Sequence, residues 1–329
     1  MRIGITGEKG FIATNLAKEI NNSNNTFLSI DNSDFAMDHM IYTESNEVCV
    51  HQNSVEKWIE LFKSLSLDVI VHNAAIVGTD VVALNPEDAI LTNILGTQKI
   101  TEAANLAGIL NVYIGTTVIY DTNLYQVHSI VEESIVRPKT SYAVQKYAGE
   151  MIVRSTSNNF LVMRPLFAYG GEGDMNSLIA KSLYGIKNNI ENIDMFLDVE
   201  KVKDYMHVSD FCRSIIIAIN SNVRNKDFNV SAQNPHTTLE IINMIEDITG
   251  KDLSSTIKWH PNTDYLGNHR LSNEKFVKHF GDIGFLDLKA GIRMSWHSIN
   301  SSKNNYNPLK HLNEAKEKDI DLKDFFPKN

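Results

Sequence analysis

Short apolar segments alternate with longer amphipathic segments through the first half of the chain. The short segments are typical of buried parallel strands, and the longer ones repeat apolar positions every three or four residues, as helices do. The alternation predicts strands at 2–6, 26–30, 48–51, 69–73, 110–115 and 160–164, and helices at 12–20, 55–64, 86–107 and 141–155. We therefore expect an α/β fold with a Rossmann-type doubly wound parallel sheet, whose strands all end at one edge.

The regular alternation ends near Tyr169. Beyond it, clustered glycines, a helix near 175–187 and a short strand-like run at 228–230 indicate a smaller domain across the carboxyl edge of the sheet. A helix at 209–220 is expected to return to the first domain. The predicted organisation is a first domain over 1–168 with a return near 203–225, a smaller α/β domain over most of 169–300, and a polar tail over 301–329.

Composition and charge remove several classes of function. The chain has 329 residues and a formal net charge of -9, which argues against nucleic acid or an anionic membrane as the main partner. No apolar run is long enough to span a bilayer, and the N-terminus passes directly into glycines, unlike a signal peptide. Cys49 and Cys212 form neither a disulfide framework nor a metal-ligand cluster. The sequence therefore predicts a cytoplasmic protein without a metal site.

A glycine loop joins the first predicted strand to the first predicted helix. Gly7 and Gly10 allow a tight turn, so that the backbone amides of the loop and of Phe11 and Ile12 can meet a pyrophosphate. The spacing is Gly-x-x-Gly-x-x-Ala, ending at Ala13, and differs from the Gly-x-Gly-x-x-Gly of other dinucleotide sites. Taken alone, such a loop would equally suit an ordinary strand-to-helix turn.

The end of the second predicted strand supports a dinucleotide site. Asp31 and Asn32 follow it, about 20 residues after the glycine loop, where a carboxylate is expected on the adenosine ribose. Asp31 would repel the 2′-phosphate of NADP, and no arginine follows it. The sequence therefore favours NAD as the cofactor, although Asp31 could also serve only as a loop or cap residue.

Three side chains that could share a proton are expected at the same edge. Thr116 follows the strand at 110–115, and Tyr142 and Lys146 lie one turn apart on the helix at 141–155. A phenol with a pKa of about 10 is a weak base at neutral pH, and a neighbouring ammonium lowers that pKa. Lys146 would therefore favour the phenolate and hold the nicotinamide ribose, while Tyr142 takes a proton from a sugar hydroxyl as hydride leaves the carbon. Thr116 would share that hydrogen bond and orient the substrate.

The spacing between tyrosine and lysine is weak evidence by itself. Tyr306 and Lys310 repeat it in a polar stretch with a proline between them. Only Tyr142 and Lys146 follow a strand-end threonine, a glycine loop and a candidate ribose carboxylate. We therefore interpret Tyr142 and Lys146, rather than Tyr306 and Lys310, as a proton-transfer site.

These motifs together resemble those of the extended short-chain dehydrogenases/reductases, chiefly nucleotide-sugar epimerases, dehydratases and ketoreductases. The resemblance covers most of residues 1–299 and depends on the order and spacing of the motifs. They are Thr6-Gly7-x-x-Gly10-Phe11-Ile12-Ala13, Val71-His72-Asn73-Ala74-Ala75, Asn93-Ile94-Leu95-Gly96-Thr97, Thr116-x-x-x-Tyr120, Tyr142-x-x-x-Lys146, Arg164-Pro165-x-x-x-Tyr169-Gly170 and Lys203-Asp204-Tyr205-Met206-His207-Val208-x-Asp210. The family implies a Rossmann domain that binds NAD(P), a second domain that binds a nucleoside diphosphate sugar, and frequently a homodimer formed through a helix bundle.

The resemblance also implies roles for individual residues. Ala74 and Ala75 are expected to line the cofactor through their backbone, although packing at a strand end would also explain them. Asn93 is expected near the nicotinamide half. His207 lies in what resembles the family's domain-junction motif and is interpreted as structural rather than catalytic.

The residues after Thr116 narrow the reaction. Family dehydratases have acidic residues there, and decarboxylases usually have a glutamate at the second position, where this chain has Thr117 and Val118. Neither side chain can do that acid–base work. The leading hypothesis is an NAD-dependent nucleotide-sugar epimerase that transfers hydride reversibly at a secondary alcohol, C4 of the sugar. The alternatives are a 4-ketoreductase or 4-dehydrogenase and, less favoured, a 4,6-dehydratase or a non-catalytic dinucleotide-binding protein.

Two expected substrate positions depart from the family pattern. Phe167 stands where asparagine is usual, and Lys203 stands where arginine is usual, so the bidentate fork of arginine is missing. We expect Thr116, Thr117, Phe167 and Lys203 to contact the sugar nucleotide. Arg270 is a candidate ligand of its diphosphate, with a surface salt bridge as the alternative.

Overall fold

The computed structural model describes residues 1–21, 23, 25–30, 50–125, 128–171, 173–174, 177–260, 266–301 and 309. Strands and helices alternate through the first half of these residues. The strands are β1 (Arg2–Thr6), β2 (Thr26–Ile30), β3 (Val69–His72), β4 (Leu110–Ile114), β5 (Phe160–Pro165), β6 (Ala168–Tyr169), β7 (Ile193–Met195), β8 (Val202–Asp204), β9 (Met206–His207), β10 (Lys226–Val230), β11 (Pro235–Thr237) and β12 (Ile257–Trp259).

The helices connect these strands and cover them. They are α1 (Phe11–Asn21), α2 (Val55–Ser64), α3 (Thr79–Leu84), α4 (Pro86–Ile90), α5 (Thr97–Ala107), α6 (Ser141–Thr156), α7 (Leu178–Asn188), α8 (Val208–Ile219), α9 (Thr238–Thr249), α10 (Glu274–Phe280) and α11 (Leu288–Ser301). A π-helical segment, Leu91–Gly96, joins α4 to α5. Side-chain caps fix where four helices begin, because Ser54, Thr140, Ser177 and Thr237 each accept a hydrogen bond from the backbone amide three residues later.

Six parallel strands form the main sheet, in the order β10-β5-β4-β3-β1-β2. Every residue of β4 is buried, as expected for a central strand covered on both faces. β2 and β3 lie on opposite sides of β1, so the strand order reverses between β1 and β3. The crevice beyond the carboxyl ends of these two strands is the usual ligand position in such a sheet.

Alternate strand residues bury the two faces of the sheet. On one face, α1 and α8 pack Leu16 and Phe211 against Ile3. On the other face, α2 packs Trp58 against Ile70. The doubly wound architecture predicted from the alternation is therefore confirmed.

A smaller unit lies beyond β5. It contains three short strand pairs, β6 with β9, β7 with β12 and β8 with β11, and a core in which α7, α9 and α11 pack together. Leu183, Ile245 and Ile292 are buried in this core. No helix among the described residues is long and apolar enough to cross a membrane.

Several element predictions are confirmed and two need correction. The bounds predicted for β1, β2 and α2 are those observed, and the helix at 209–220 returns to the main sheet as α8. The strand predicted at 48–51 is wrong where it can be seen, because residues 50 and 51 form a turn; residues 48 and 49 lie outside the described residues. The run at 228–230 belongs to β10 of the main sheet rather than to the smaller unit, because α8 carries the chain back to the exposed edge of β5.

Candidate active site

A cavity of about 600 Å³ opens at the carboxyl edge of the main sheet, between the sheet and the smaller unit. The predicted site residues that line it are Gly7, Gly10, Phe11, Ile12, Ala74, Ala75, Thr116, Thr117, Tyr142, Lys146 and Phe167. Asp31 and Asn32 lie outside the described residues, as do Cys49, Tyr306 and Lys310. The structure therefore brings the glycine loop and the three proposed reacting residues to one cavity.

The glycine loop is packed tightly against the loop that follows β3. Gly7 has a φ of +70°, and a Cβ at this position would lie 2.6 Å from the Cα of Ala74. The Gly7 carbonyl accepts hydrogen bonds from the amide of Gly10, at 2.9 Å, and from Nδ2 of Asn73, at 3.1 Å. α1 begins at Phe11, so its free N-terminal amides reach the cavity. This cradle fits the pyrophosphate of NAD, which helix N-termini bind well.

A chain of buried hydrogen bonds fixes the strand end behind this loop. Thr97 donates its hydroxyl proton to the carbonyl of Asn93, at 2.7 Å, so its oxygen accepts from Nε2 of His72, at 3.0 Å. Nδ1 of His72 is then unprotonated and accepts from the hydroxyl of Thr6, at 2.9 Å. The oxygen of Thr6 in turn accepts from the amide of Ala74, at 3.1 Å. The network orients the backbone that lines the cofactor end of the cavity.

Burial keeps His72 neutral within this network. Burial, together with the charge of Lys146, lowers the pKa of the imidazole to about 3. A neutral imidazole with one proton is the form that the two hydroxyl partners require. His72 therefore acts as a fixed hydrogen-bonding element rather than as a titrating base near neutral pH.

Asn93 is not among the residues that line the cavity, and its place near the nicotinamide half stays a prediction. Its side chain is buried, with Oδ1 accepting from the amide of Ile76, at 2.8 Å. Its Nδ2 donates to the carbonyl of Ile76, at 3.0 Å, and to Oε1 of Gln145, at 2.9 Å. All of these groups are used to tie the loop after β3 to α6, which leaves Asn93 a positioning role.

The proposed reacting residues stand on two elements that meet at the cavity. Thr116 follows β4 and is buried except for a small fraction of its surface. Tyr142 and Lys146 lie in the first two turns of α6, which begins where Thr140 caps the amide of Ala143, at 3.2 Å. Each of the three lines the cavity, so a hydroxyl, a phenol and an ammonium face the same space.

Lys146 is almost completely buried, which governs its charge. Burial lowers the pKa of its ammonium to about 7, and the nearby carboxylate of Glu150 opposes that shift. Its Nζ lies 4.3 Å from the centre of the Tyr113 ring. A lysine whose pKa is close to neutrality can respond to the charge of a neighbouring phenol.

A buried ion-pair network anchors the far end of α6. Oε2 of Glu150 accepts from Nε of Arg164 of β5, at 2.9 Å, and Oε1 accepts from Nη2, at 2.5 Å. Nη1 of Arg164 lies 2.9 Å from the carboxylate of Asp227 and donates to the hydroxyl of Tyr120, at 2.6 Å. The carboxylates and the phenol hold the pKa of Arg164 above its usual value despite burial. The helix that carries Tyr142 is thus fixed to β5 and β10.

Two predicted substrate residues line the cavity beside Thr116. Thr117 donates from its hydroxyl to the carbonyl of Pro165, at 3.4 Å. Phe167 has a φ of +32°, unusual for a residue other than glycine. Its ring packs 5.4 Å from the rings of Tyr205 and His269, measured between ring centres. An aromatic wall therefore stands where an asparagine was expected.

Lys203 and Arg270 are not among the residues that line the cavity, and their contact with substrate stays a prediction. Lys203 is completely buried on β8; its Nζ donates to the carbonyl of Gly267, at 2.6 Å, and lies 5.9 Å from the ring centre of Phe167. Arg270 has its Nε buried without a hydrogen-bond partner in the described part of the chain. The backbone of Lys203 pairs with that of His269 in a β-bridge.

The opposite wall of the cavity contains residues that the sequence did not single out. Lys181 of α7 lines it, as do Asp80 of α3 and Asp174. Burial lowers the pKa of Lys181, and the two aspartates raise it. The signal in the sequence would have been a lysine one turn after Leu178, within a helix whose other residues are mostly apolar or small.

Two other features lie away from the cavity. His207 caps α8, because its Nδ1 accepts from the amide of Ser209, at 3.3 Å, and it does not line the cavity. Cys212 is buried and is not in a disulfide. Among the described residues, no group of three or more His, Cys, Asp or Glu side chains is arranged to hold a metal ion.

Comparison with known proteins matches the sequence of the chain to one family. The model of the NAD dependent epimerase/dehydratase family matches residues 3–231. The chain is 25% identical to GDP-6-deoxy-D-talose 4-dehydrogenase of Aggregatibacter actinomycetemcomitans, over 76% of this chain and 80% of that protein. It is 22% identical to a trifunctional UDP-glucose 4,6-dehydratase/UDP-4-keto-6-deoxy-D-glucose 3,5-epimerase/UDP-4-keto-L-rhamnose-reductase of Arabidopsis thaliana, over 71% of this chain but only 36% of that protein.

A solved structure gives the same fold. It is UDP-glucuronic acid 4-epimerase from Bacillus cereus in complex with UDP-glucuronic acid and NAD, with a TM-score of 0.77 and 19% identity. The alignment covers 91% of this chain and 99% of that one. At this identity the likeness shows the fold alone.

Proposed function

Because a family model covers residues 3–231, the chain belongs to the NAD dependent epimerase/dehydratase family, and from this premise we propose that it is an NAD-dependent nucleotide-sugar 4-epimerase. The observation that carries the proposal is the shared cavity of Thr116, Tyr142, Lys146 and the glycine loop. These groups can hold a dinucleotide and remove a proton from a sugar hydroxyl in one place.

The proposed chemistry assigns one task to each residue. When bound, NAD would supply the acceptor and the later donor of the hydride at the sugar carbon. Tyr142, as phenolate, takes the proton of the hydroxyl at that carbon, and Lys146 stabilises the phenolate when it is charged. Thr116 donates or accepts a hydrogen bond at the same oxygen and so orients the sugar. Epimerisation requires the ketone to turn over in the cavity, so that the hydride returns to its opposite face while Tyr142 gives the proton back to the oxygen.

The residues beside Thr116 favour epimerisation over elimination. Thr117 and Val118 both line the cavity, and neither can abstract a carbon-bound proton or protonate a leaving hydroxyl. The carboxylates of the cavity belong instead to Asp80, Asp174 and Asp194, on other walls. An oxidoreductase acting in one direction at C4 is the second candidate, supported by the similarity to a 4-dehydrogenase.

We assign the two halves of the cavity to two ligands. Residues 1–168, together with α8 and β10, bind NAD, with Gly7, Gly10, Ala74 and Ala75 at its phosphates and ribose. Most of 169–300 binds the sugar nucleotide. Lys181 lines the cavity, and we propose it, beside Arg270, as a candidate partner of the diphosphate.

A panel of nucleotide sugars tests the proposal. Purified protein is incubated with UDP-, GDP-, CDP- and dTDP-sugars, and products are separated by chromatography while absorbance reports NADH. An epimerase converts one sugar to its C4 epimer without net NADH. Net NADH formation would indicate a dehydrogenase, and conversion only with added NAD(P)H would indicate a ketoreductase.

A matched pair of variants tests the mechanism. Tyr142→Phe is expected to lower turnover by roughly 10²–10⁴-fold, because the general base is lost. Tyr147→Phe is the control, since Tyr147 lies on the same helix but packs in a separate apolar cluster. Equal turnover by Tyr142→Phe and the control would refute the assigned base.

We also propose that the protein is a homodimer formed through α5, α6 and the π-helical segment. Leu91, Leu95, Val144 and Met151 are exposed large apolar side chains of these adjacent helices, and a second copy would bury them. Light scattering after gel filtration tests this. Val144→Glu should yield monomers, whereas Leu239→Glu, an equally exposed leucine on α9, should not.

A further inference from the structure

Tyr113 contacts both the backbone carbonyl and the side-chain nitrogen of Lys146. Tyr113 is the fourth residue of β4 and is almost completely buried. Its hydroxyl donates to the backbone carbonyl of Lys146, at 3.0 Å, and its ring centre lies 4.3 Å from Nζ of the same lysine. Resting on the function proposed above, we propose that Tyr113 is a positioning residue of the reacting centre, which sets both the place and the charge of Lys146.

The neighbouring helix turn is shaped to admit this tyrosine. A Cβ at Gly149 would lie 2.4 Å from the hydroxyl oxygen of Tyr113 and 3.1 Å from its Cζ. Glycine is a poor residue for a helix interior, yet here it lets the ring cross under α6. On its other side the ring packs 6.0 Å from the imidazole of His72, measured between centres. Tyr113 is therefore confined to the position in which it touches Lys146.

The ring has an electrostatic effect because the lysine is buried. Among the described residues, the titratable groups that act on Lys146 are Glu150 on its own helix, His72 from β3 and Tyr113 from β4, and Tyr142 lines the same cavity. Glu150 favours the ammonium, and His72 is neutral near pH 7 because burial lowers its pKa to about 3. The face of an aromatic ring is electron-rich and attracts a cation, most strongly where water is excluded.

Loss of this attraction would change the reaction rather than only the packing. A neutral Lys146 no longer stabilises the phenolate of Tyr142, so the pH range in which Tyr142 acts as a base would contract. The hydroxyl of Tyr113 has a separate effect, since it fixes the backbone turn that carries Lys146. If Tyr113 only filled the apolar core, its replacement would change neither the charge of Lys146 nor the position of the turn that carries it.

Fluorination of the ring separates charge from shape. Position 113 is occupied in turn by tyrosine, phenylalanine and trifluorinated phenylalanine, the last of which keeps the ring shape but removes the electron-rich face. The protonation of Lys146 is followed by ¹³C NMR of lysines labelled at Cε, assigned with Lys146→Arg, in protein saturated with NAD. From phenylalanine to its fluorinated form, the pKa of Lys146 should fall by on the order of one unit.

Fluorination of a neighbouring aromatic ring provides the control. Trifluorinated phenylalanine at Phe160, which packs in the same apolar cluster as Tyr113, should leave the Lys146 titration unchanged. An unchanged titration after fluorination at 113, with an unchanged thermal midpoint, would reduce Tyr113 to core packing and overturn the proposal. If the fluorinated protein does not fold, Tyr113→Leu provides the same comparison without the ring.

Turnover provides a second readout that depends on the proposed function. With the sugar identified by the nucleotide-sugar panel, the alkaline limb of kcat should move to lower pH on fluorination, with KM little changed. If no sugar is converted, the proposed function fails, while the NMR titration still decides whether Tyr113 holds the charge of Lys146. A shifted titration with an unshifted kcat profile would contradict the positioning role.

Discussion

His269 is a buried histidine whose replacement should stabilise the protein. Its side chain is fully buried, and neither ring nitrogen has a hydrogen-bond partner in the described part of the chain. Its ring edge packs against Phe167, and its backbone amide donates to the carbonyl of Val202, at 2.9 Å. His269→Leu keeps that backbone bond and most of the buried volume, and it removes two unpaired polar atoms. Each such atom costs about 1–3 kcal/mol.

The effect should depend on pH in a calculable way. Burial and the charge of Lys203 lower the pKa of folded His269 to about 3, whereas in the unfolded chain it is about 6.5. Between these values the unfolded state binds more protons, so stability falls as the pH is lowered through this window. From pH 7.5 to 5.0, His269 alone should cost the wild type about 2 kcal/mol. His72, with a folded pKa also near 3, should cost both proteins a similar amount.

Urea unfolding at the two pH values measures the difference. His269→Leu should be more stable than wild type by about 2–6 kcal/mol at pH 7.5, about 1–3 kcal/mol for each of the two unpaired atoms, and its advantage should grow by about 2 kcal/mol at pH 5.0. His297→Leu is the control, because His297 is exposed on α11, and it should follow the wild-type pH dependence. An advantage of His269→Leu that is the same at both pH values would refute the assignment of a buried, neutral imidazole.

Three other substitutions are expected to act through contacts at the site. Gly7→Ala should weaken NAD binding at least about tenfold in a fluorescence titration, because a positive φ is strained for alanine; unchanged affinity would contradict the cradle. Glu150→Gln should destabilise the protein by about 3 kcal/mol in urea, since it leaves Arg164 with one carboxylate fewer, and an unchanged midpoint would argue against the network. Gly149→Ala should destabilise by at least about 1 kcal/mol, and less in the Tyr113→Phe background; a double-mutant cycle with no coupling would exclude the overlap.

Local sequence pattern was sufficient for the elements that depend on it alone. β1, β2 and α2 are short segments with a clear apolar spacing, and α2 is also capped by Ser54 at its start. Their predicted bounds are those observed. The run at 228–230 shows where such a pattern stops being informative. A short apolar run fits a strand of the main sheet as well as a strand of the smaller unit. Its position depends on pairing with β5, which is distant in sequence.

The residues of the candidate site also differ in how well local sequence predicts their position. Thr116 and Gly7 directly follow strands of the main sheet, and sheet topology carries them to the carboxyl edge whatever the rest of the chain does. Lys203 depends on which strand pairs with β8 and on the β-bridge to His269, so its burial could not be read from its motif. Lys181 was missed because its helix faces the cavity only after the smaller unit has folded against the sheet.

The tyrosine–lysine spacing explains less of the site than the contacts that hold α6. The helix is fixed from three directions: Gln145 accepts from the side chain of Asn93, the carbonyl of Lys146 accepts from Tyr113, and Glu150 pairs with Arg164 of β5. Each partner comes from a different element, so no single substitution should release the helix. Proton transfer tolerates little error in distance, and a helix held in this way keeps its reacting groups in place before substrate arrives. On a helix without these contacts, the same spacing would give two neighbouring side chains with no fixed position relative to the cavity. The contacts that hold α6 are therefore a stronger argument for catalysis than the tyrosine–lysine spacing itself.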